Sequence, residues 1–174
     1  MFQRTLLLAA VALAAIGFSE RDLSACGDKF LLLGRSVSYG NLLKSSKPGN
    51  VVLYSTPTLP PAFGDGRFDL LMTVAGHHLA VVSDRRALHG ALATGKIDLV
   101  LADGVVSRAI ADDVSASSAA VIVPILVDAA ASERASFEKD FGCILRLPSD
   151  SRKVIDALDR AMKLRARRAA PHAD

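Results

Sequence analysis

Ile97-Asp98-Leu99-Val100-Leu101-Ala102-Asp103-Gly104 decides the architecture: a short, nearly continuous apolar run that stops at a carboxylate and a glycine. A strand with one wet face would alternate polar and apolar residues, and this run does not. It reads as a strand over Ile97–Ala102 buried on both sides, the habit of parallel sheets covered by helices.

The same pattern recurs on either side of it. Val51-Val52-Leu53-Tyr54 is strand-like, and the prolines of Ser55-Thr56-Pro57-Thr58-Leu59-Pro60-Pro61 then forbid regular structure. Asp65 is placed to cap a helix whose apolar face is Phe68, Leu71, Met72 and Ala75, ending at Gly76. Leu79–Val82 is the second strand, followed by a helix capped by Ser83 or Asp84 that buries Ala87, Leu88, Ala91 and Leu92 before Gly95. After the Ile97 strand, Val105, Val106, Ala109 and Ile110 predict a third helix, and the Ser/Ala-rich 115–120 stretch a loop.

Ala119–Val127 is a fourth apolar run, in which Pro124 must fall at the start of the strand or where no ladder bond is needed. Ser132 is expected to cap a helix carrying Phe137 and Phe141 and closed by Gly142. Cys143–Leu147 is the fifth strand, and Ser149 or Asp150 caps a last helix with Val154, Ile155, Leu158 and Met162 on one face. Five strand-helix units joined by right-handed crossovers predict an α/β, doubly wound, flavodoxin-like parallel sheet of order 2-1-3-4-5 over residues 50–168. Lys44–Asn50 reads as a polar linker, Lys29–Leu33 as an added edge strand or a lid, and 169–174 as a disordered tail.

The chain has 174 residues, 51% apolar and 22% charged, which is one domain's worth of ordinary globular sequence. Aromatic residues are 5% with no tryptophan, against base-stacking platforms and aromatic cages. The net charge of +3 is too small and too scattered for a nucleic-acid footprint, so no nucleic-acid partner is expected. Lys163, Arg165, Arg167 and Arg168 read as cations favoured at a helix C-terminus.

Arg4 followed by the uncharged stretch Thr5–Phe18 has signal-peptide character, shorter than the roughly 20 apolar residues of a membrane span. The expectation is a signal peptide over residues 1–25, an N-terminal extension over 26–49, and a periplasmic or extracellular protein. Leu23-Ser24-Ala25-Cys26 fits either a bacterial lipobox, which would anchor Cys26 to lipid, or a small-residue cleavage site. Cys143 is the second of the two cysteines, and an even count in an oxidising compartment favours a Cys26–Cys143 disulfide. Lipidation of Cys26 and that disulfide exclude each other.

The strand ending at Asp103, the helix of residues 84–94 before it and Leu147-Pro148 at the end of the fifth strand together resemble the receiver domain of bacterial response regulators. The resemblance covers residues 50–168 and places Asp103 where a receiver accepts its phosphoryl group. Receivers add two acidic residues after the first strand to hold magnesium; here Tyr54, Ser55 and Thr56 stand there, and Leu147 stands in place of the phosphate-clamping lysine. Phosphoryl transfer needs that cation to neutralise developing charge. A non-catalytic module without cofactor is therefore expected, binding a protein partner in the cell envelope through the receiver's fourth-helix, fifth-strand and fifth-helix face, here Ser132–Met162.

The second expectation is a small-ligand or metal-dependent site at the carboxyl edge of the sheet, rimmed by Ser55, Thr56, Asp103 and Asp128. The hydroxyls of Ser55, Thr56 and Thr58 resemble a flavodoxin phosphate loop, but the prolines remove donors and no tryptophan can stack on a flavin. His77 and His78 are adjacent and face opposite ways on a strand, and His89 has no ligand at helical spacing. Asp112-Asp113 diverge by about 100 degrees on a helix and read as a solvated end. Neither a Gly-x-Ser-x-Gly elbow nor a glycine-rich dinucleotide fingerprint is present.

Overall fold

The computed structural model describes residues 43–169. The expected signal peptide, Cys26, Lys29–Leu33 and residues 170–174 lie outside them. Five strands form one sheet: β1 (Asn50–Tyr54), β2 (His78–Val82), β3 (Leu99–Asp103), β4 (Val121–Val127) and β5 (Leu145–Leu147). All are parallel, in the order β2-β1-β3-β4-β5. Among the described residues six helices connect and cover them: α1 (Arg67–Ala75), α2 (Arg85–Ala93), α3 (Gly104–Ala109), α4 (Ala111–Ser117), α5 (Ala131–Phe141) and α6 (Ser151–Ala169), with a 3-10 turn at Pro61–Phe63. The fold is the doubly wound, flavodoxin-like α/β arrangement that the alternation of runs predicts.

Side-chain alternation divides the core. Odd-numbered strand residues, Val51, Leu53, Leu99, Leu101, Val123 and Leu145, pack against Phe68 and Met72 of α1 and Ile155 and Leu158 of α6. The even-numbered Val52, Val100, Ala102 and Ile122 pack against Leu88 and Leu92 of α2, Ile110 and Val114. Both faces of the central strands are dry, so their runs are apolar without interruption. The edge strand β2 is not: Val81 is 60% exposed.

Pro124 sits inside β4 without disrupting the sheet. The Val121 N–H donates to the Asp98 carbonyl on the β3 side at 3.0 Å. With a period of two, Val123 and Ile125 turn the same way and Pro124 turns toward β5. Pairing with β5 begins only at Ile125 opposite Leu145, so the absent N–H is not needed.

Several local expectations are corrected. The third helix is two short ones, because Ile110 leaves helical geometry at φ −107°, ψ 1°. α4 restarts with Asp112 and Asp113 in its first turn, where the helix dipole favours carboxylates, and remains helical to Ser117, so that only 118–120 of the expected 115–120 loop is non-helical. Val105, expected on the buried face of that helix, is 82% exposed. Asp65 is not the N-cap of α1; Gly66 is, at φ 79°, while the Asp65 carboxylate accepts from the Arg67 N–H at 3.0 Å. Ser132 lies inside α5, whose N-cap Ala130 supplies no side-chain bond. β5 is only three residues long, with Cys143 and Ile144 buried ahead of it.

Lys44–Asn50 is not a free linker. Ser45 is buried, its N–H donates to the Ala75 carbonyl at 3.0 Å, and its hydroxyl donates to Asp159 of α6 at 2.5 Å. The Ser46 N–H and hydroxyl bind the same carboxylate. A Cβ on Gly49 would lie 2.5 Å from the Met162 methyl and 2.8 Å from Asp98 Oδ2, so any larger residue must displace both side chains. Beside it His77 is 3% exposed, and its Nδ1 accepts from the Gly49 N–H at 3.2 Å.

Candidate functional site

In this topology β1 leads to β2 on one side and the chain then returns to β3 on the other. A crevice opens at the carboxyl ends of β1 and β3, where the winding reverses. Asp103 ends β3 at that crevice and is the N-cap of α3, with extended backbone at φ −62°, ψ 162°. Its Oδ1 accepts from the Val106 N–H at 2.9 Å. Its Oδ2 accepts from the Thr56 hydroxyl at 2.9 Å and the Thr58 hydroxyl at 2.5 Å.

The loop after β1 folds around these contacts. The Ser55 N–H donates to the Val82 carbonyl at 2.7 Å, continuing the ladder with β2, and the Leu59 N–H closes a turn onto the Thr56 carbonyl at 3.1 Å. That turn carries Thr56 and Thr58, whose hydroxyl oxygens are 2.7 Å apart, onto one oxygen of Asp103. Burial by itself raises the Asp103 pKa, but hydrogen bonds from Thr58, Val106 and Thr56 together outweigh it, and the carboxyl is held below the ordinary 3.8.

A cleft of about 470 Å³ opens beside Asp103, lined chiefly by Thr56, Thr58, Val105, Val127, Glu133 and Phe137. Its back wall is braced by a contact between two helices. Arg108 of α3 lies 4.3 Å from the centre of the Phe137 ring and donates to Ser136 Oγ at 3.0 Å and Asp140 Oδ2 at 3.3 Å, joining α3 to α5. Gly104 permits the approach, since a Cβ there would come within 2.9 Å of Leu126 and 3.0 Å of Phe137.

Of the four rim residues expected from sequence, Thr56 and Asp103 are brought together; Ser55 and Asp128 do not line this cleft. Asp128, in the left-handed region at φ 46°, donates its N–H to the Leu147 carbonyl at 3.1 Å. It borders a separate depression of about 440 Å³ with Arg134, Arg146 and Lys153, beside the cis Leu147-Pro148 bond. Thr58 and Glu133 were not singled out as cleft residues. Thr58 had a signal, two positions beyond Thr56 across Pro57, whereas Glu133 is an ordinary first-turn carboxylate until the fold lays α5 against β4 and brings its first turn to the cleft.

Elsewhere, Arg146 is exposed on edge strand β5 and faces away from Leu147, as strand alternation requires. Cys143 is buried, its Sγ donates to the Ala157 carbonyl at 3.3 Å, and burial pushes its pKa up. Its pairing with Cys26 falls outside the described residues. His89 lies 3.6 Å from Asp113, and among the described residues no three His, Cys, Asp or Glu side chains cluster as a metal site. No described helix is long and apolar enough to cross a membrane. Compared with known proteins, the chain matches no family model, no curated protein and no solved structure.

Proposed function

We propose that this chain is a non-catalytic, receiver-like binding module, exported and engaging a protein partner in the cell envelope. The observation that carries the reading is the employment of Asp103. Its two oxygens accept three hydrogen bonds that tie the β1 loop and the start of α3 to the end of β3. A carboxylate bound in this way is a structural tie. The positions after β1 that a receiver fills with acids hold Tyr54, Ser55 and Thr56, and Leu147 stands where a receiver has lysine.

The partner face is α5, β5 and α6, from Ser132 to Met162. What supports it is a cationic centre on an open sheet edge: Arg146 of β5 stands among Arg134 of α5 and Lys153 and Arg160 of α6, with Asp128, Glu138 and Asp156 interspersed around the same depressions and Lys153 paired with Asp150. Such a face suits an acidic protein surface by charge complementarity.

Three measurements test this. Incubation with acetyl phosphate and magnesium is expected to leave the intact mass unchanged; an acyl phosphate mapped to Asp103 would overturn the non-catalytic reading. Photo-crosslinking from positions flanking Arg146 in native envelopes is expected to trap one partner, lost with Arg146→Glu; crosslinks that ignore this charge reversal would overturn the face. Export is checked on the same preparation, where the recovered chain is expected to lack residues 1–25.

A further inference from the structure

We propose that the cleft beside Asp103 binds a small apolar molecule bearing an ammonium group. This is a second site, adjoining the α5–β5–α6 face through Glu133 and Phe137 of α5. Its volume, about 470 Å³, falls in the range of roughly 300–1,000 Å³ usual for small-molecule sites. Ile125, Leu126 and Phe137 form its floor, and Val105 and Val127 remain 82% and 47% exposed at its mouth. A ligand with an apolar body removes those two side chains from water.

The polar groups of the cleft fix the sign of the ligand's charge. A hydroxyl has one proton and two lone pairs. Thr56 and Thr58 have two protons for three contacts, with Asp103 Oδ2 and with each other, so both protons are spent inside this cluster and what the hydroxyls offer a ligand is lone pairs. The Val106 N–H is likewise turned onto Asp103. With the Asp103 and Glu133 carboxylates, the lining side chains accept hydrogen bonds and carry negative charge, and no lysine, arginine or histidine is among them. Of the cations on the flanking helices, Arg108 is paired with Asp140 and bound to Ser136, and Arg134 turns its guanidinium onto the Ala129 carbonyl at 2.7 Å; neither lines the cleft. An anion meets repulsion here and an ammonium meets acceptors.

The test titrates the full chain with 2-phenylethylammonium, with 3-phenylpropionate of similar shape, and with neutral 2-phenylethanol, following backbone amides by NMR. The ammonium is expected to shift Thr56, Val105, Val127 and Glu133 saturably, and the carboxylate to shift none of them. The alcohol is expected to bind at least threefold more weakly than the ammonium. Glu133→Gln, at an exposed position that leaves the fold intact, is expected to weaken the ammonium about threefold or more and to leave the alcohol unchanged. Equal binding of the carboxylate or the alcohol, ammonium shifts mapping elsewhere, or an ammonium affinity indifferent to Glu133→Gln would each overturn the proposal.

Discussion

Asp103 joins a helix cap to a loop tie in one side chain. Asp103→Ala is expected to destabilise the protein by about 1–2 kcal/mol, the usual cost of an N-cap carboxylate, and Asp103→Asn by less because an amide oxygen still caps; urea unfolding measures both. Its pKa is depressed in the folded state, so its contribution is present above the unfolded value near 3.8 and is lost as pH falls below it. His77 acts in another pH window. Burial is the largest influence and holds its pKa below 6.5, against the attraction of Asp159 and Asp98. The unfolded chain therefore takes up the proton first, and stability falls as pH drops beneath about 6.5 toward the folded pKa. His77→Asn, whose amide oxygen can still accept from Gly49, is expected to flatten the urea midpoint between pH 6.5 and 5; an unaltered slope would count against this account. The role of Asp103 was legible because a carboxylate between an apolar strand and a helix start is a natural cap. That of His77 was not, since the partner of its imidazole, the Gly49 N–H, arrives from a segment ahead of β1.

At the scale of elements, the segment before β1 is held by a clasp. Ser45 and Ser46 donate to Asp159, and their hydrogen bonds outweigh burial to keep its pKa low. Asp159→Ala is expected to cost roughly 1–3 kcal/mol, as hydrogen bonds to a charged group are lost. It should also speed deuterium exchange at the Ser46 amide, while β3 amides keep their relative protection. α6 contributes through burial. Leu158 is fully buried among β-strand side chains, so Leu158→Ala is expected to cost about 2–5 kcal/mol in a chemical denaturation series. The helical period of α6 showed its buried face in advance. The break between α3 and α4 was not visible in it, because Ile110 is an ordinary helix residue whose backbone is set by packing against α2 and β3.

At the scale of the molecule, strand order ranks local stability. Amides of β3 and β1, with paired neighbours on both sides, are expected to exchange only on global unfolding, and those of β2, an exposed edge, orders of magnitude faster. Equal protection across the sheet would contradict that ranking. The sequence by itself determined the order and type of the strands and their parallel arrangement, because burial on both faces demands unbroken apolar runs and each run is followed by a helical period. It also carried Asp103 to the end of β3, a matter of local chain order. Only the tertiary structure decided that Thr58 and Glu133 share a cleft with Asp103 while Ser55 and Asp128 do not, and that Ser45 closes on Asp159. Those contacts join residues far apart in sequence, and their geometry follows from how loops and helices settle on the sheet rather than from any periodicity along the chain.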